Sequence, residues 1–458
     1  MTGAGNSWSS QRKNRPAGVR PCRNYGRAEI MAAEKDGFLS EVKKHIKSKE
    51  AKVFIHKELE HHLQETKLGL IAEGIEEKEA EEKAVLQMGS PAELGMQLNK
   101  IHKPRVDWLL IGLLAAAFGM GLLPLFNIHY EDYDVAFVSK QIFYIGLGLL
   151  TALAVMFFDY RKLQKWSWHL LTIGVLYLVL LLIAPFSIRA IINGFPYFMI
   201  PGIGAFGGMS ILPLFYLFWA SFFSKEKPNL WIGWLIFAIT LFLFLSLPGF
   251  PIAMMYGFLV MILFIRSAVT RKTIIATISS VGGILVLLGI LAWFTSNEYQ
   301  KVRIFAFLNP KEYSETSGFM YIKIREMLAE GGWLGNPEKT ASIPNLHSDY
   351  AFVNITYFYG WLMAGLLIVI LALLLARMVS VGVQIKDPYG KQLVTGAIAL
   401  YSVQFLYNIG MTLGFLPIIS ISLPFISYGL TPAILNAFVI GIALSVYRRK
   451  DFNAAACK

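Results

Sequence analysis

Long apolar runs fill most of the chain after residue 106, and they restrict it to a fold built in a lipid bilayer. A helix needs about 20 apolar residues to cross the hydrocarbon core. The runs that approach or exceed this length lie at 107–126, 140–158, 167–185, 209–223, 230–247, 251–267, 273–294, 351–378, 392–413 and 430–447. With 55% hydrophobic and only 16% charged residues, the composition excludes an ordinary soluble globular protein.

The sequence therefore predicts an all-α, polytopic membrane protein of about ten transmembrane helices. The count is approximate for two reasons. The fourth run is short, and only Pro248-Gly249-Phe250-Pro251 separates the fifth run from the sixth.

Basic residues collect at alternate ends of these runs. Lys and Arg near span ends are enriched on the cytoplasmic side of a membrane. Here the basic residues near the ends are His102, Lys103, Arg105, Arg161, Lys162, Lys165, Lys225, Lys227, Arg266, Arg271, Lys272, Lys386, Lys391, Arg448, Arg449 and Lys450. This distribution places both termini in the cytoplasm and the segment 295–349 outside. The formal charge of +12 follows largely from this topology and the basic N-terminus, so it does not indicate nucleic-acid binding.

The residues before the first apolar run are polar and charged. Residues 1–30 are rich in Arg, Gly, Ser and Asn and are predicted to be a disordered basic extension, which makes Met31 a possible start. Residues 31–105 carry apolar positions at helical spacing, and Ser90-Pro91-Ala92-Glu93 is typical of a helix start. They predict a small cytoplasmic helical domain ahead of the membrane domain, 106–450.

Few residues outside the spans suggest metal or redox chemistry. His56, His61 and His62 lack the spacing of a zinc motif and are predicted to be solvated. The two cysteines, Cys22 and Cys457, are too few for a disulfide scaffold. Cys457 belongs to the short cytoplasmic tail predicted at 451–458.

The long polar segment 295–349 is the first place to look for chemistry, because long loops within compact folds are usually functional. It ends in His347-Ser348-Asp349-Tyr350, where the chain re-enters the membrane. An acid at such a boundary is costly, so Asp349 calls for a functional explanation.

Three segments carry a family resemblance. The first runs from Arg303 to Pro310 and continues with Glu330-Gly331-Gly332-Trp333-Leu334-Gly335. The second is 343–352, around Asp349, and the third is 408–417, continuing to 423–429, with an unusual pattern of Gly and Pro. In this order and topology they resemble the shape, elongation, division and sporulation (SEDS) family, which includes FtsW, RodA and SpoVE.

The third segment can also be interpreted from physics alone. A helix is expected to end near Leu413, followed by an irregular or re-entrant stretch before the last span. Irregular backbone at membrane depth must be buried in protein or line a water-filled cavity. The alternative is a tight external loop without substrate contact, and the resemblance favours the cavity wall.

The resemblance implies an activity. Members of the family are peptidoglycan glycosyltransferases that polymerise lipid II, an undecaprenyl-pyrophosphate-linked precursor, in cell division, cell shape or sporulation, together with a class B penicillin-binding protein. The family's essential acid falls on Asp349, as a general base for an inverting transfer. A carboxylate at a membrane boundary can have its pKa raised by desolvation, which makes it a better base.

The resemblance also suggests substrate contacts. Arg303, Lys323 and Arg325 are candidates to neutralise the pyrophosphate, with Arg preferred for bidentate contacts. A divalent cation, Mg or Mn, is compatible with this chemistry, and no ligand set can be assigned. Further substrate-binding candidates from the matching segments are His347, Ser348, Asn408 and Ser427.

The sequence departs from the family pattern at several places. Tyr357, Phe358 and Tyr359 precede Gly360 where the family carries a pair of Glu. Segments 193–198 and 206–210 match an earlier family motif only approximately and lack its Glu and Lys.

Two alternatives stand beside the enzyme: a catalytically weak or inactive scaffold, and a flippase or transporter of a lipid-linked precursor. A transporter usually has polar groups in broken helices near the bilayer midplane; here they lie in one loop, which favours the enzyme.

Overall fold

The computed structural model describes residues 35–101, 105–126, 136–185, 188–192, 195–200, 204–247, 249–295, 298–336 and 343–450. The predicted basic extension and C-terminal tail, with Cys22 and Cys457, lie outside these residues. Backbone contacts divide the chain into two units, with the boundary between Pro104 and Arg105.

The described part of the first unit consists of four helices, α1 (Lys35–His45), α2 (Lys49–Ala72), α3 (Glu77–Gln87) and α4 (Pro91–Ile101). The side chains of Phe38, Val42 and Ile46 are buried, and α1 packs on α2 and α4. Gly95 permits this packing, since a Cβ there would lie 2.9 Å from the carbonyl oxygen of Val42.

The surface of this helical unit carries ion pairs and exposed polar side chains. Lys67 of α2 forms ion pairs with Glu77 and Glu81 of α3, at 3.0 and 2.7 Å. The side chains of His61 and His62 are exposed, whereas His56 is half-buried.

The second unit contains the apolar helices. Their bounds are α5 (Trp108–Met120), α6 (Leu123–Phe126), α7 (Ala136–Phe157), α8 (Arg161–Lys165), α9 (Ser167–Ile183), α10 (Leu212–Phe223), α11 (Leu230–Ser246), α12 (Phe250–Ile265), α13 (Arg271–Thr295), α14 (Glu298–Leu308), α15 (Phe319–Glu330), α16 (Ala351–Gln384), α17 (Pro388–Thr412) and α18 (Leu430–Arg448). In the described ranges, six helical stretches are long and apolar enough to cross a membrane, and four more are apolar but 17 residues or shorter.

These ten apolar helices coincide with the ten predicted runs. The prediction of an all-α, polytopic membrane fold is therefore confirmed. With α5 and α6 counted as one stretch, three helix ends differ from the predicted runs by four residues or more. Helix α7 begins at Ala136, four residues before its run. Helix α17 begins four residues before the predicted run because Asp387 caps it by accepting from the Gly390 amide, with Pro388 in the first position. Helix α16 extends six residues beyond its run, to Gln384.

Close backbone approach holds α18 against α7. A Cβ on Gly441 would lie 2.9 Å from the carbonyl oxygen of Ala152, so only glycine allows this contact without a shift. Small residues permit such packing where water provides no hydrophobic drive. Helix α18 is also joined to α17, because the amides of Gln404 and Asn436 donate to each other's oxygens at 3.1 and 3.2 Å.

One end of the bundle is closed by charged residues. Asp107 caps α5 by accepting from the Leu110 amide at 3.1 Å, and Arg377 of α16 donates to its other carboxylate oxygen at 2.8 Å. Arg449, after α18, is buried and donates to the carbonyls of Met156 and Phe157 at the end of α7. Asp107 thus satisfies an amide at the start of α5, and Arg449 satisfies carbonyls at the end of α7.

A small antiparallel sheet lies at the other end of the bundle, and sequence analysis did not predict it. Its strands are β1 (Arg189–Ile192), β2 (Phe195–Ile200) and β3 (Gly204–Phe206), in the order β1-β2-β3. Arg189 pairs with Phe198, and Phe198 with Phe206. The sheet includes much of the sequence that matched the family's earlier motif only approximately.

The segment 295–349 was predicted as a polar loop, but much of it is helical. It contains α14 and α15, joined by turns at 309–318. The side chains of Ile324, Met327 and Leu328 in α15 are buried, whereas those of Phe319 and Arg325 are exposed. These buried side chains belong to the hydrophobic core that the apolar helices share.

Candidate functional site

Asp349 lies at the end of a tight turn, immediately before α16. The turn is anchored by the buried side chains of Ile343 and Leu346. Asn345 has a φ of 59°, in the left-handed region that Asn tolerates, and its carbonyl accepts from the amides of Ser348 and Tyr350 at 3.0 and 3.3 Å. This geometry fixes the backbone that carries the carboxylate.

The three carbonyls of His347, Ser348 and Asp349 each accept a hydrogen bond from α17 or from the segment that follows it. Asn408 donates to Asp349 at 2.9 Å, the Ser427 hydroxyl donates to Ser348 at 2.6 Å, and the Tyr428 amide donates to His347 at 3.0 Å. We call residues 413–429 the bracket segment, because it holds the turn along this edge.

The bracket segment is irregular, as predicted, and α17 ends at Thr412. Its second half is buried, and Phe425 packs edge-on against Phe118 of α5, with ring centroids 5.0 Å apart. Phe425 has a φ of 67° and Gly429 a φ of 138°. Backbone of this kind is tolerated within a membrane protein because the surrounding helices bury it.

The carboxylate of Asp349 is partly exposed and accepts a hydrogen bond at Oδ2 from the hydroxyl of Ser420 in the bracket segment. Desolvation by the surrounding protein raises the pKa of Asp349, and the Ser420 hydrogen bond opposes that rise. Tyr197 of β2 lies close enough that the carboxylate charge adds to burial in raising the pKa of its phenol. Thus β2, the turn and the bracket segment meet around one acid.

His347 lies in a cluster of aromatic rings. Its ring is edge-on to Phe137 of α7 and to Tyr428, with centroid distances of 5.4 Å in both cases. Phe137 and Tyr428 stack on each other at 4.6 Å. Burial lowers the pKa of His347, which favours the neutral imidazole. These contacts anchor the turn.

Three of the predicted substrate-binding residues therefore support the backbone. Asn408 and Ser427 are buried and bond to main-chain atoms of two segments, and the Ser348 hydroxyl donates within its own turn to Asn345 at 3.4 Å. Their predicted contact with substrate stays a prediction, and the contacts described are those of positioning residues.

Lys323 and Arg325, both predicted to contact the pyrophosphate, have different neighbours in the structure. Lys323 forms an ion pair with Glu326, one turn along α15, at 3.3 Å. The guanidinium of Arg325 lies beside Gly414 of the bracket segment: a Cβ at Gly414 would be 3.5 Å from Arg325 Nη2. Arg325 is exposed and makes no ion pair within the described ranges.

Arg303 approaches the bracket segment through Tyr321. The positive charge of Arg303 partly offsets the effect of burial, which raises the pKa of the Tyr321 phenol. The same hydroxyl accepts from the amide of Ile418 at 2.9 Å. Arg325 of α15 thus lies beside the bracket segment, and Arg303 of α14 lies near the Tyr321 hydroxyl that bonds to it.

Gly360 explains how α16 accommodates the turn at 331–335. It has φ 83° and ψ 172° and interrupts the helix, and a methyl group there would collide with the carbonyl oxygen of Trp333. The amide of Trp361 donates instead to the carbonyl of Gly332 at 2.9 Å. Where the family carries two acids before this glycine, Tyr359 donates through its hydroxyl to the carbonyl of Leu123 at 3.0 Å. This part of the sequence is used for packing.

The donors at this site do not fit a protein-only site for Mg or Mn. Such ions take about six oxygen ligands, with carboxylates preferred. No group of three or more His, Cys, Asp or Glu that could hold a metal ion occurs in the described ranges. Asp349 Oδ2 is already bonded to Ser420. The divalent cation stays a prediction, and no chemical step below depends on it.

Two residues of this site, Ser420 and Tyr197, were not predicted from the sequence. Ser420 lies between the two halves of the matching segment, and nothing in the local pattern distinguishes it from Ser422. Tyr197 is about 150 residues before Asp349 in the chain, and only the folding of the sheet brings them together.

The fold and the site define a class of polytopic membrane protein. In this class a turn carries a carboxylate, and an irregular segment between the last two long helices holds that turn. A family model described as "Cell cycle protein", covering FtsW, RodA and SpoVE, matches residues 107–451. The chain belongs to this family, so the SEDS resemblance is confirmed.

Curated relatives cover the same region. The chain is 26% identical over 374 residues to stage V sporulation protein E of Bacillus subtilis, covering 76% of this chain and 98% of that protein. It is 28% identical over 376 residues to the probable peptidoglycan glycosyltransferase FtsW of Geobacter metallireducens, covering 78% of this chain and 98% of that protein.

Solved structures share the fold. One is a chain from work on structural coordination of polymerization and crosslinking by a peptidoglycan synthase complex, with a TM-score of 0.65 and 23% identity, covering 75% of this chain and 98% of that one. Another is the rod shape determining protein RodA of Thermus thermophilus, with a TM-score of 0.55 and 22% identity, covering 75% and 97%.

Proposed function

We propose that this protein is a peptidoglycan glycosyltransferase that polymerises lipid II at the outer face of the cytoplasmic membrane, in cell division, cell shape or sporulation. Family membership and relatives named as probable peptidoglycan glycosyltransferases support this activity. The observation that carries the proposal is the carboxylate of Asp349, partly exposed and desolvated on a backbone held by hydrogen bonds to three successive carbonyls.

In the proposed reaction Asp349 acts as the general base. The acceptor sugar hydroxyl attacks the anomeric carbon of the donor, its proton passes to the carboxylate, and the bond from that carbon to the pyrophosphate oxygen breaks with inversion. The lipid pyrophosphate leaves with the bonding electrons. A desolvated carboxylate with a raised pKa suits this role, because a base works best with a pKa near the operating pH.

The leaving group carries negative charge that must be balanced. Arg325 and Arg303 are the proposed contacts, because guanidinium groups bind phosphate oxygens bidentately. Arg325 lies beside the bracket segment, and Arg303 lies near Tyr321, which bonds to that segment. Lys323 is a weaker candidate because Glu326 already neutralises it.

The proposed orientation follows the distribution of Lys and Arg, with both termini cytoplasmic and the Asp349 end outward. The charged contacts of Asp107, Arg377 and Arg449 lie at the opposite end of the bundle, as this orientation requires. The proposed partner is a class B penicillin-binding protein. Similarity to a chain of a peptidoglycan synthase complex that couples polymerization and crosslinking supports that pairing.

The test is polymerisation by purified protein. Wild type and Asp349→Ala are incubated with lipid II and Mg²⁺ or Mn²⁺, with and without a class B penicillin-binding protein. We expect polymer from wild type and at least a hundredfold less from the variant, the usual loss when a general base is removed. Equal polymer from both would contradict the assignment of Asp349. No polymer from either, in any condition, would favour the inactive scaffold.

A further inference from the structure

We propose that Ser420 is a positioning residue for Asp349: its hydroxyl binds carboxylate Oδ2 and leaves Oδ1 free to accept the proton of the acceptor sugar. The catalytic meaning of this inference rests on the proposed function. The contact itself does not, because it is a relationship between two side chains of this chain.

The backbone on both sides of Ser420 is fixed. The amide of Ile418 donates to the Tyr321 hydroxyl at 2.9 Å, and the carbonyl of Ile421 accepts from Asn408 at 2.6 Å. Ile421 also donates to the carbonyl of Ile419 at 2.9 Å. Asn408 bonds to Asp349 as well, so the hydroxyl and the carboxylate are positioned by one shared amide.

The exposure of Ser420 distinguishes it from the other hydroxyls at the site. Ser427 is buried and joins two backbone segments, whereas the Ser420 side chain is exposed and bonds to the carboxylate itself. A buried hydroxyl that bonds only to main chain stabilises a fold. An exposed one that bonds to an acid also sets the orientation and proton affinity of that acid.

Among the described residues, two phenols respond to the charge of Asp349. Tyr197 approaches from β2 and Tyr350 from the turn itself, and the charge of Asp349 raises the pKa of both. The Ser420 hydrogen bond lowers the pKa of Asp349 against the larger effect of desolvation. Loss of the hydroxyl should therefore raise this pKa further.

The experiment measures protonation of Asp349 directly. Purified full-length protein is treated with dicyclohexylcarbodiimide, which modifies protonated carboxyl groups, over a series of pH values. Mass spectrometry of the peptide that contains Asp349 then gives the pH of half-maximal modification. The same proteins are assayed for lipid II polymerisation across that pH series.

Three variants separate positioning from a general structural effect. Ser420→Ala removes the hydroxyl, and Ser420→Thr retains it. Ser422→Ala is the matched control, since Ser422 is a half-buried neighbour with no side-chain hydrogen bond in the described part of the chain. We expect the modification midpoint to rise by about one pH unit in Ser420→Ala only. The acid limb of the polymerisation profile should move the same way, because the base must be ionised.

An unchanged midpoint in Ser420→Ala would overturn the inference, as would an equal shift in Ser422→Ala. A shifted midpoint in a protein whose wild type makes no polymer would support the positioning contact and contradict the proposed function. If Ser420→Ala fails to fold, the inference is judged on Ser420→Thr, which must keep the wild-type midpoint.

Discussion

Asn408 joins two backbone segments that are far apart in sequence. Its side-chain amide donates to the carbonyl of Asp349 at 2.9 Å and to that of Ile421 at 2.6 Å. Asn408 is fully buried, so water cannot easily replace these bonds. Asn408, which the sequence predicted as a substrate contact, thus links the backbone of Asp349 to the bracket segment.

Replacing Asn408 with Ala should destabilise the site. Each buried carbonyl left without a donor costs about 1–3 kcal/mol, and we expect a lower apparent unfolding temperature together with at least tenfold slower polymerisation. Thermal unfolding in detergent and the lipid II assay measure the two effects. Ser402→Ala on the same helix is the control, because its hydroxyl bonds only to Ala399 within the helix. Equal stability of the two variants would contradict the linking role.

Arg325 and Lys323 should differ in their contribution to substrate binding. We expect Arg325→Gln to raise the KM for lipid II about tenfold, the equivalent of one charge-assisted hydrogen bond. Lys323→Gln should change it less than twofold, because Lys323 is an exposed partner of Glu326 and such pairs contribute little. Initial rates over a range of lipid II concentrations measure both values. The prediction fails if the two substitutions have the same effect.

Gly360→Ala should destabilise the fold strongly. The backbone at this position has a φ of 83°, and a methyl group would meet the Trp333 carbonyl. Strain and collision together are expected to cost about 3 kcal/mol or more. Gly365→Ala is a matched control in the same helix, since a Cβ there meets nothing within 4 Å. It should be neutral or stabilising by about 0.5–1 kcal/mol. Unfolding temperatures of the two variants in detergent test the contrast.

His347 should make stability dependent on pH. Burial lowers its pKa from the ordinary value of 6.5, so the unfolded chain binds more protons than the folded one below that pH. Stability is therefore retained above pH 6.5 and falls as the pH decreases from that value through the folded-state pKa. His347→Phe keeps an aromatic ring against Phe137 and Tyr428 and removes the titration.

We expect the unfolding temperature of wild type to fall more steeply below pH 6.5 than that of His347→Phe. Scans from about pH 5 to pH 8 measure the two slopes. Parallel curves would mean that protonation of His347 does not affect folding. Any slope that remains in the variant reports other titratable groups.

The positions of the membrane helices could be predicted from sequence because the bilayer imposes a length on each apolar run. The predicted runs that begin at Leu230 and Leu430 start where the helices start. One exception shows where the rule stops. Helix α16 contains a break at Gly360 that its apolar composition hides. The break depends on carbonyl and amide partners from residues 331–335, and hydropathy does not report such partners.

The candidate site also combines a residue that the sequence identifies with contacts that only packing decides. Asp349 stands out in sequence because an acid at a membrane boundary is costly. Lys323 and Arg325 look equivalent in sequence, yet one is paired with Glu326 and the other lies beside Gly414. Glu326 is three residues from Lys323 in the same helix, so spacing suggests that pair, whereas Gly414 meets Arg325 only after the helix has packed.

The sequence by itself determined the class of fold, the number of apolar helices and the acid on which the proposed chemistry depends, since these follow from hydrophobicity and the cost of charge in a bilayer. Tertiary structure alone decided what surrounds that acid. Ser420 and Tyr197 reach Asp349 from segments that are distant in the chain, and Asn408 and Ser427 fix its backbone. Directional hydrogen bonds between remote segments exist only once packing has brought donor and acceptor within about 3 Å.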